Sequence, residues 1–250
     1  MEALATREIA GAATPESAWR PFLEGLNVPD VTLPVTSRLV ALAPHPDDET
    51  LACGGLIHSH VSAGGACLVV AATDGEASHG AGAIEQMQAL AARRRREQLA
   101  SAAALGLAQA DVLRLGLPDG ALGGHIPELE RRLDAVLRPR DVLLTTWMLD
   151  GHPDHEACGS AAASVAMRRM TPLLQAPVWA WHWAAVADRR LPWARLRRLR
   201  LTPEVSAAKL RALACHDSQL QPRGEHIGPV LELPILERAA RPCEYYFAQD

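Results

Sequence analysis

The chain has 250 residues, 48% of them hydrophobic, and a formal net charge of −4 at pH 7, enough apolar content to bury the core of one α/β domain. The negative balance excludes a general attraction to nucleic acid, and no run of about 18 apolar residues offers stable membrane insertion. Residues 1–8 carry acids where a secretory leader carries bases, and the five cysteines form no C-x-x-C pair, so the sequence reads as a cytoplasmic protein with no disulfide framework and no thiolate metal site.

In chain order, residues 1–35 contain Pro15, Pro21, Pro29 and Pro34 and predict an arm with one helix over 16–26, packed on a domain formed by 36–250. Four short apolar runs, 38–43, 67–73, 112–115 and 141–146, have the Val and Leu content of strands buried on both faces. The segments 54–63, 84–105, 126–137 and 156–170 are rich in good helix formers. This strand-then-helix order predicts an α/β fold: a single Rossmann-like domain with a mostly parallel sheet flanked by helices. Further on, Val178-Trp179-Ala180-Trp181-His182-Trp183 alternates large and small side chains, which predicts a strand whose tryptophans form either core or the wall of a cleft. A helix is expected over 203–215, then a loop over 220–237 with a strand around 230–233. The arginines at 93–96 and between 189 and 200 read as solvated faces.

Chemistry concentrates in two clusters, His45-Pro46-Asp47-Asp48-Glu49 and His152-Pro153-Asp154-His155. Each follows a predicted strand, where open α/β sheets build their sites. Proline after His45 and after His152 keeps those histidines out of regular helix. Imidazoles and carboxylates are the ligands of hydrolytic metal sites, in which three protein groups hold the ion and water takes an open position. The clusters therefore predict a metal site that activates water.

The run Ala43-Pro44-His45-Pro46-Asp47-Asp48-Glu49 with His152-Pro153-Asp154-His155 resembles the paired signature of the PIG-L/LmbE-like zinc deacetylases. The resemblance extends through Thr73-Asp74-Gly75-Glu76, the segment from Arg94 to Gly106, Leu117-Pro118-Asp119-Gly120, and Lys209 through His216-Asp217-Ser218-Gln219. It implies a Rossmann-like fold and removal of the acetyl group from an N-acetylglucosamine unit. It also implies zinc held by His45, Asp48 and His155, with iron(II) as an ion that such a donor set also accepts. Asp47 would be the general base, and His152 would steady the tetrahedral intermediate as imidazolium or as a hydrogen-bond donor. Arg94 matches a family arginine that would bind sugar hydroxyls or a phosphate; the alternative is a surface arginine of its helix.

Several positions keep two readings. Asp154 either orients a histidine or caps the following helix, Glu49 supports a ligand from behind or caps a helix, and His216 lines the site or locks the C-terminal helix. Asp150 stands where some members, including the mycothiol-pathway deacetylase, carry tyrosine; an ionised carboxylate cannot donate a hydrogen bond, so a substrate-binding role is expected of it. Of the other histidines, His79 is the one expected nearest the substrate. The expected partner is a small N-acetylated sugar or glycoconjugate, and a homo-oligomer is compatible with the sequence. The alternatives are a related zinc amidase for a larger N-acyl group or a thiol-conjugate amide, a nucleotide-binding Rossmann module, and a non-catalytic carbohydrate binder. The nucleotide module is disfavoured because His45-Pro46-Asp47-Asp48 replaces the G-x-G-x-x-G turn, and the non-catalytic binder because it has no need of Asp47 and His152.

Overall fold

The computed structural model describes Arg7, Ile9, residues 11–80 and residues 82–249; residues 1–6, 8 and 10 of the expected arm lie outside them. One sheet of seven strands runs in the order β3-β2-β1-β4-β5-β7-β6. Strands β1 (Leu39–Ala43), β2 (Cys67–Ala71), β3 (Val112–Arg114), β4 (Val142–Thr146) and β5 (Leu173–Ala176) are parallel, and β6 (Leu196–Arg200) and β7 (Cys243–Gln249) close one edge antiparallel. The α/β, mostly parallel architecture is the expected one, with β5, β6 and β7 added to the four strands legible in the sequence.

The period-two geometry of a strand sends neighbouring side chains to opposite faces, and β1 uses both. Val40 and Leu42 meet α4 (Ile126–Val136) and α5 (Pro153–Arg169) in one core, together with Leu129, Leu133, Ala161 and Val165. Leu39 and Ala41 point to the opposite face, against α2 (Asp48–Ser62), α3 (Ile84–Ala104) and α7 (Pro203–Leu213), among Leu56, Ile57, Leu105 and Ala212. A third, aromatic cluster joins α1 (Glu16–Gly25) to the β7 edge: Trp19, Trp181, Trp147 and Phe247 are all buried, and Trp19 Nε1 donates to Trp181 O at 2.8 Å. The Glu16–Arg241 ion pair, at 2.6 Å and buried, ties the same helix to the segment before β7.

Three expectations need correction. The tryptophan run forms no strand: residues 180–183 are a short helix, α6 (Ala180–Trp183). The backbone N–H groups of Val178, Trp179 and Ala180 all donate to the buried Asp150 carboxylate, and that capture turns the chain where alternation alone predicts extension. No strand forms around 230–233 either. Leu231 N donates to Gln219 O, and Pro234 sits in the first turn of α9 (Leu233–Ala239), which packs Ile235 and Ala239 against Leu213. Finally, α2 starts at Asp48 rather than at 54 and breaks at Cys53, whose φ of −148° is not helical. Past the break, Glu244 accepts from Gly55 N at 2.7 Å and Leu56 N at 2.9 Å, so a carboxylate from β7 caps the second half of the helix.

Candidate metal centre and active site

The connections β1→β2→β3 run one way across the sheet, whereas β4 and β5 lie on the other side of β1. The crevice between the carboxyl ends of β1 and β4 is thus the topological switch point, the place where such sheets bind ligands. The turn from β1 into α2 brings His45, Asp47 and Asp48 to this crevice, and the turn from β4 into α5 brings His152, Asp154 and His155.

Asp48 lies between the two imidazoles: Oδ2 is 3.0 Å from His45 Nδ1 and Oδ1 is 3.2 Å from His155 Nε2. One ligand atom from each of these three residues lies within 4.8 Å of the others. The opposite ring nitrogens are also held. His155 Nδ1 meets Asp150 Oδ2 at 2.8 Å, and His45 Nε2 meets Asp154 Oδ2 at 3.2 Å and Asp119 Oδ1 at 3.1 Å. Carboxylates behind both rings fix the orientation and raise the basicity of ligating histidines. The donor set therefore fits a divalent ion with an open position.

The electrostatics carry the same signature. Burial alone would depress His45, but Asp119, Asp154 and Asp48 outweigh it and hold the imidazole well above its ordinary range. Burial likewise opposes protonation of His155, yet the Asp48 charge and the Asp150 hydrogen bond push it up to about 9. Asp48, although buried, is held well below the carboxylate range by His155 and His45. Without an ion, protons on both rings take its place opposite Asp48.

Asp47 is separated from this set by its backbone. Its φ of 135° is strained for a residue with a Cβ. The carboxyl is pushed up to about 7, first by burial and also by Asp48, with Arg94 pulling the other way. Arg94 is itself only 2% exposed. It gives Nη2 to Asp47 Oδ2 at 3.1 Å and to Pro46 O at 2.7 Å, and Nη1 to Gly75 O at 2.9 Å. The surface reading of Arg94 is excluded: it reaches the cleft wall, but with its guanidinium spent on Asp47 and its turn. Gly75 makes room for it, since a Cβ there would lie 1.9 Å from Nη1. Behind Asp47, Glu49 is 2% exposed and accepts a long 3.4 Å bond from Asp47 N, while burial pushes its carboxyl up to about 7. Its hydrogen bond runs to the turn at Asp47 and not to His45, Asp48 or His155.

On the other wall, His152 caps α5: its Nδ1 accepts from Asp154 N at 3.2 Å. That leaves the ring proton on Nε2. Burial, helped by the positive His155 and His45, pushes His152 down to about 4, so at neutral pH it is a neutral donor rather than an imidazolium. Asp154 is inside the helix and does not cap it. It is fully buried, accepts from Gly120 N at 2.7 Å and Leu122 N at 3.0 Å, and orients His45.

One expectation changes here, and of the two readings of His216 the lining one falls away. Asp150 is 0% exposed and its oxygens are filled by three backbone N–H groups and His155, so no substrate hydroxyl reaches it; it orients the His155 ring. His216 is also 0% exposed, burial and the Arg94 charge push it down to about 3, and it lies under the cleft rather than in its lining. His79 Nε2 donates to Ser218 O at 3.0 Å, whereas its neighbours Ala77 and Ser78 line the cleft. Asp119 was missed as a site residue: it holds His45 and accepts from Ala77 N at 2.7 Å. Its signal in the sequence is the Pro118-Asp119-Gly120 turn in the loop that follows β3, at the same end of the sheet. The tryptophans divide: Trp181 is core, whereas Trp179 walls the cleft and stacks on His152 with ring centroids 6.4 Å apart.

The cleft above these groups has a volume of ≈ 330 Å³ and a second, apolar wall that includes Leu51, Val178, Trp179, Leu231 and Ile235. Among the described residues no helix is long and apolar enough to cross a membrane.

Comparison with known proteins bears on this geometry. No curated protein sequence matches the chain. Among solved structures, a deacetylase of the teicoplanin biosynthesis pathway is similar at 16% identity with a TM-score of 0.64, covering 85% of this chain and 97% of that one. The N,N'-diacetylchitobiose deacetylase from Pyrococcus horikoshii is 20% identical with a TM-score of 0.57, covering 84% of this chain and 81% of that one. A 4-carboxy-2-hydroxymuconate hydratase from a Pseudomonas strain also matches, at 17% identity and a TM-score of 0.53, over 86% of this chain and 95% of that one; at such identities likeness shows the fold alone. A family model does more: the one described as PIG-L, GlcNAc-PI de-N-acetylase, matches residues 40–166, just over half of the chain and the whole stretch that carries both histidine clusters. With that match and this site, the protein belongs to the PIG-L family, as an enzyme of the deacetylase class.

Proposed function

We propose that the protein removes the N-acetyl group of an N-acetylglucosamine-type amino sugar, with zinc held by His45, Asp48 and His155. The observation that carries this reading is the buried Asp47 carboxyl, poised at about 7 beside the His45, Asp48 and His155 set and held by Arg94. A general base works best with a pKa near the working pH. A bound divalent ion would polarise the amide carbonyl and acidify water. The chain supplies the rest. Asp47 takes a proton from water as its oxygen attacks the acyl carbon. His152 donates from Nε2 to the carbonyl oxygen as negative charge gathers there, and Trp179 holds the ring in place by stacking. When the C–N bond breaks, the proton on Asp47 returns to the leaving nitrogen, and the products are acetate and a free amine.

The test is amine release from N-acetylglucosamine and a panel of its glycosides, before and after chelation and return of zinc or iron(II). Loss with the chelator and recovery with one of these ions supports the reading. A metal-loaded protein that hydrates an unsaturated acid and releases no amine from any N-acyl sugar overturns it.

A further inference from the structure

A guanidinium keeps its charge at any ordinary pH, and taking that charge out of water without a partner is costly. Arg238, on α9, is only 8% exposed. Its Nη2 donates to Thr14 O at 3.1 Å, but Nε and Nη1 are buried and meet no acceptor among the described residues. Burial and the Arg241 charge push Arg238 down to about 10, with Glu16 and Glu237 pulling the other way, so it is still a cation at neutral pH.

Arg238 lines a hollow of ≈ 40 Å³ that lies apart from the metal ligands. Leu51, Val178 and Ile235 line both this hollow and the cleft and form the partition between them. Lys209 and Arg241 join Arg238 in the lining, and both are buried. These two cations are matched: Lys209 Nζ is 2.7 Å from Glu244 Oε1, and Arg241 binds both oxygens of the buried Glu16. Three buried cations therefore meet two buried carboxylates. Glu237 is exposed, where water and salt screen its charge.

We infer that this hollow binds one small monovalent anion, chloride or a short carboxylate such as acetate, against the Arg238 guanidinium. A single negative charge neutralises the buried excess, whereas a dianion would reverse it. Size sets the same limit. A water-sized sphere needs about 10–15 Å³, so the hollow admits a halide or a two-carbon acid and excludes a sugar or a nucleotide. Pro177, Val178, Trp181 and Ala239 make much of the remaining lining apolar, and a low local dielectric strengthens the attraction. Ile235 and Arg238 stand one turn apart on α9, so an anion that fixes Arg238 also steadies the Ile235 part of the cleft wall.

The experiment follows thermal unfolding and calorimetric binding as chloride, acetate or sulfate replaces gluconate at constant ionic strength. Both metal-loaded and chelated protein are used, because an anion resting on the metal ion would lose its effect with the chelator. Chloride and acetate are expected to raise the melting temperature saturably in both forms and to slow hydrogen exchange over residues 233–239. Arg238→Met should weaken their binding about 10–100-fold, the loss of a hydrogen bond to a charged group. In gluconate the same variant is expected to melt no lower than the wild-type protein, since an apolar side chain replaces an unmatched buried charge. Tighter binding of chloride identifies an ambient halide as the ligand, and tighter binding of acetate a carboxylate; either supports the site. The inference is overturned by the absence of a saturable response to either monoanion, by an equal response in Arg238→Met, by tighter binding of sulfate, or by a response that disappears on chelation.

Discussion

Asp47 and Asp48 are neighbours with opposite fates. Asp48 faces two imidazoles and stays ionised, whereas Asp47, turned away by a strained backbone and paired only with Arg94, is held near neutrality. Environments that push two carboxylates apart in pKa assign their roles. Asp47→Asn is therefore expected to keep the metal while kcat falls about 10²–10⁴-fold, checked by metal analysis and steady-state rates on the same sample; wild-type turnover in this variant would remove Asp47 from the mechanism. Arg94 lowers the Asp47 pKa, so Arg94→Met should raise it and move the rising limb of the pH–rate profile to higher pH. An unmoved limb with a lowered kcat would mean that Arg94 acts on the substrate instead. Both clusters were legible in the sequence, and that they meet at one crevice was too. Arg94 was singled out as well, but its pairing with Asp47 was not legible, because four consecutive arginines do not show what an inward-turned one meets; the room left by the missing Cβ at Gly75 admits it.

The elements show why some of the site was hidden. The five parallel strands need little beyond apolar runs and helix formers, so four of them stood out, while β5 is only four residues long, β6 is arginine-rich and β7 carries Glu244 among its aromatic side chains. The tryptophan run misled because its conformation is set by Asp150, a residue 28 positions from Val178 in the chain. One carboxylate caps α6 and orients His155, and this double use makes a prediction. Asp150→Asn would put an amide N–H₂ against either the backbone N–H groups or the His155 Nδ1 proton, and relieving the second clash means reversing the ring tautomer. Metal affinity should fall about 10–100-fold, measured by competition with a chromogenic chelator, while a merely structural Asp150 would lower the melting temperature and leave affinity intact. Glu244 has the corresponding task in α2, binding Gly55 N, Leu56 N, Tyr246 OH and Lys209 Nζ, the last at 2.7 Å. Glu244→Gln strands a buried lysine, and breaking such a pair costs about 3–5 kcal/mol; thermal unfolding checks it.

At the scale of the whole molecule, the site joins the two halves of the sheet, because His45 and Asp48 enter from β1 and His155 from β4. An ion held there would stabilise the folded chain as a ligand of the native state, by about 2.7 kcal/mol at one hundred times its dissociation constant. The pH dependence of that gain follows from the raised histidines. His155 has its folded pKa at about 9, above an ordinary value of 6.5. Its protonation therefore stabilises the metal-free fold fully below pH 6.5, and that contribution is lost as pH rises through about 9. The metal competes for the same lone pairs, so its binding at pH 7 should release about two protons, one from each ring. Calorimetry in buffers of different ionisation enthalpy counts those protons. Melting temperatures of the chelated and the zinc-loaded protein should then diverge as pH climbs from 6.5 towards 9, the metal-free form weakening while the loaded form gains affinity. A constant gap over that range, with no proton release, would mean that the ion does not sit between His45, Asp48 and His155.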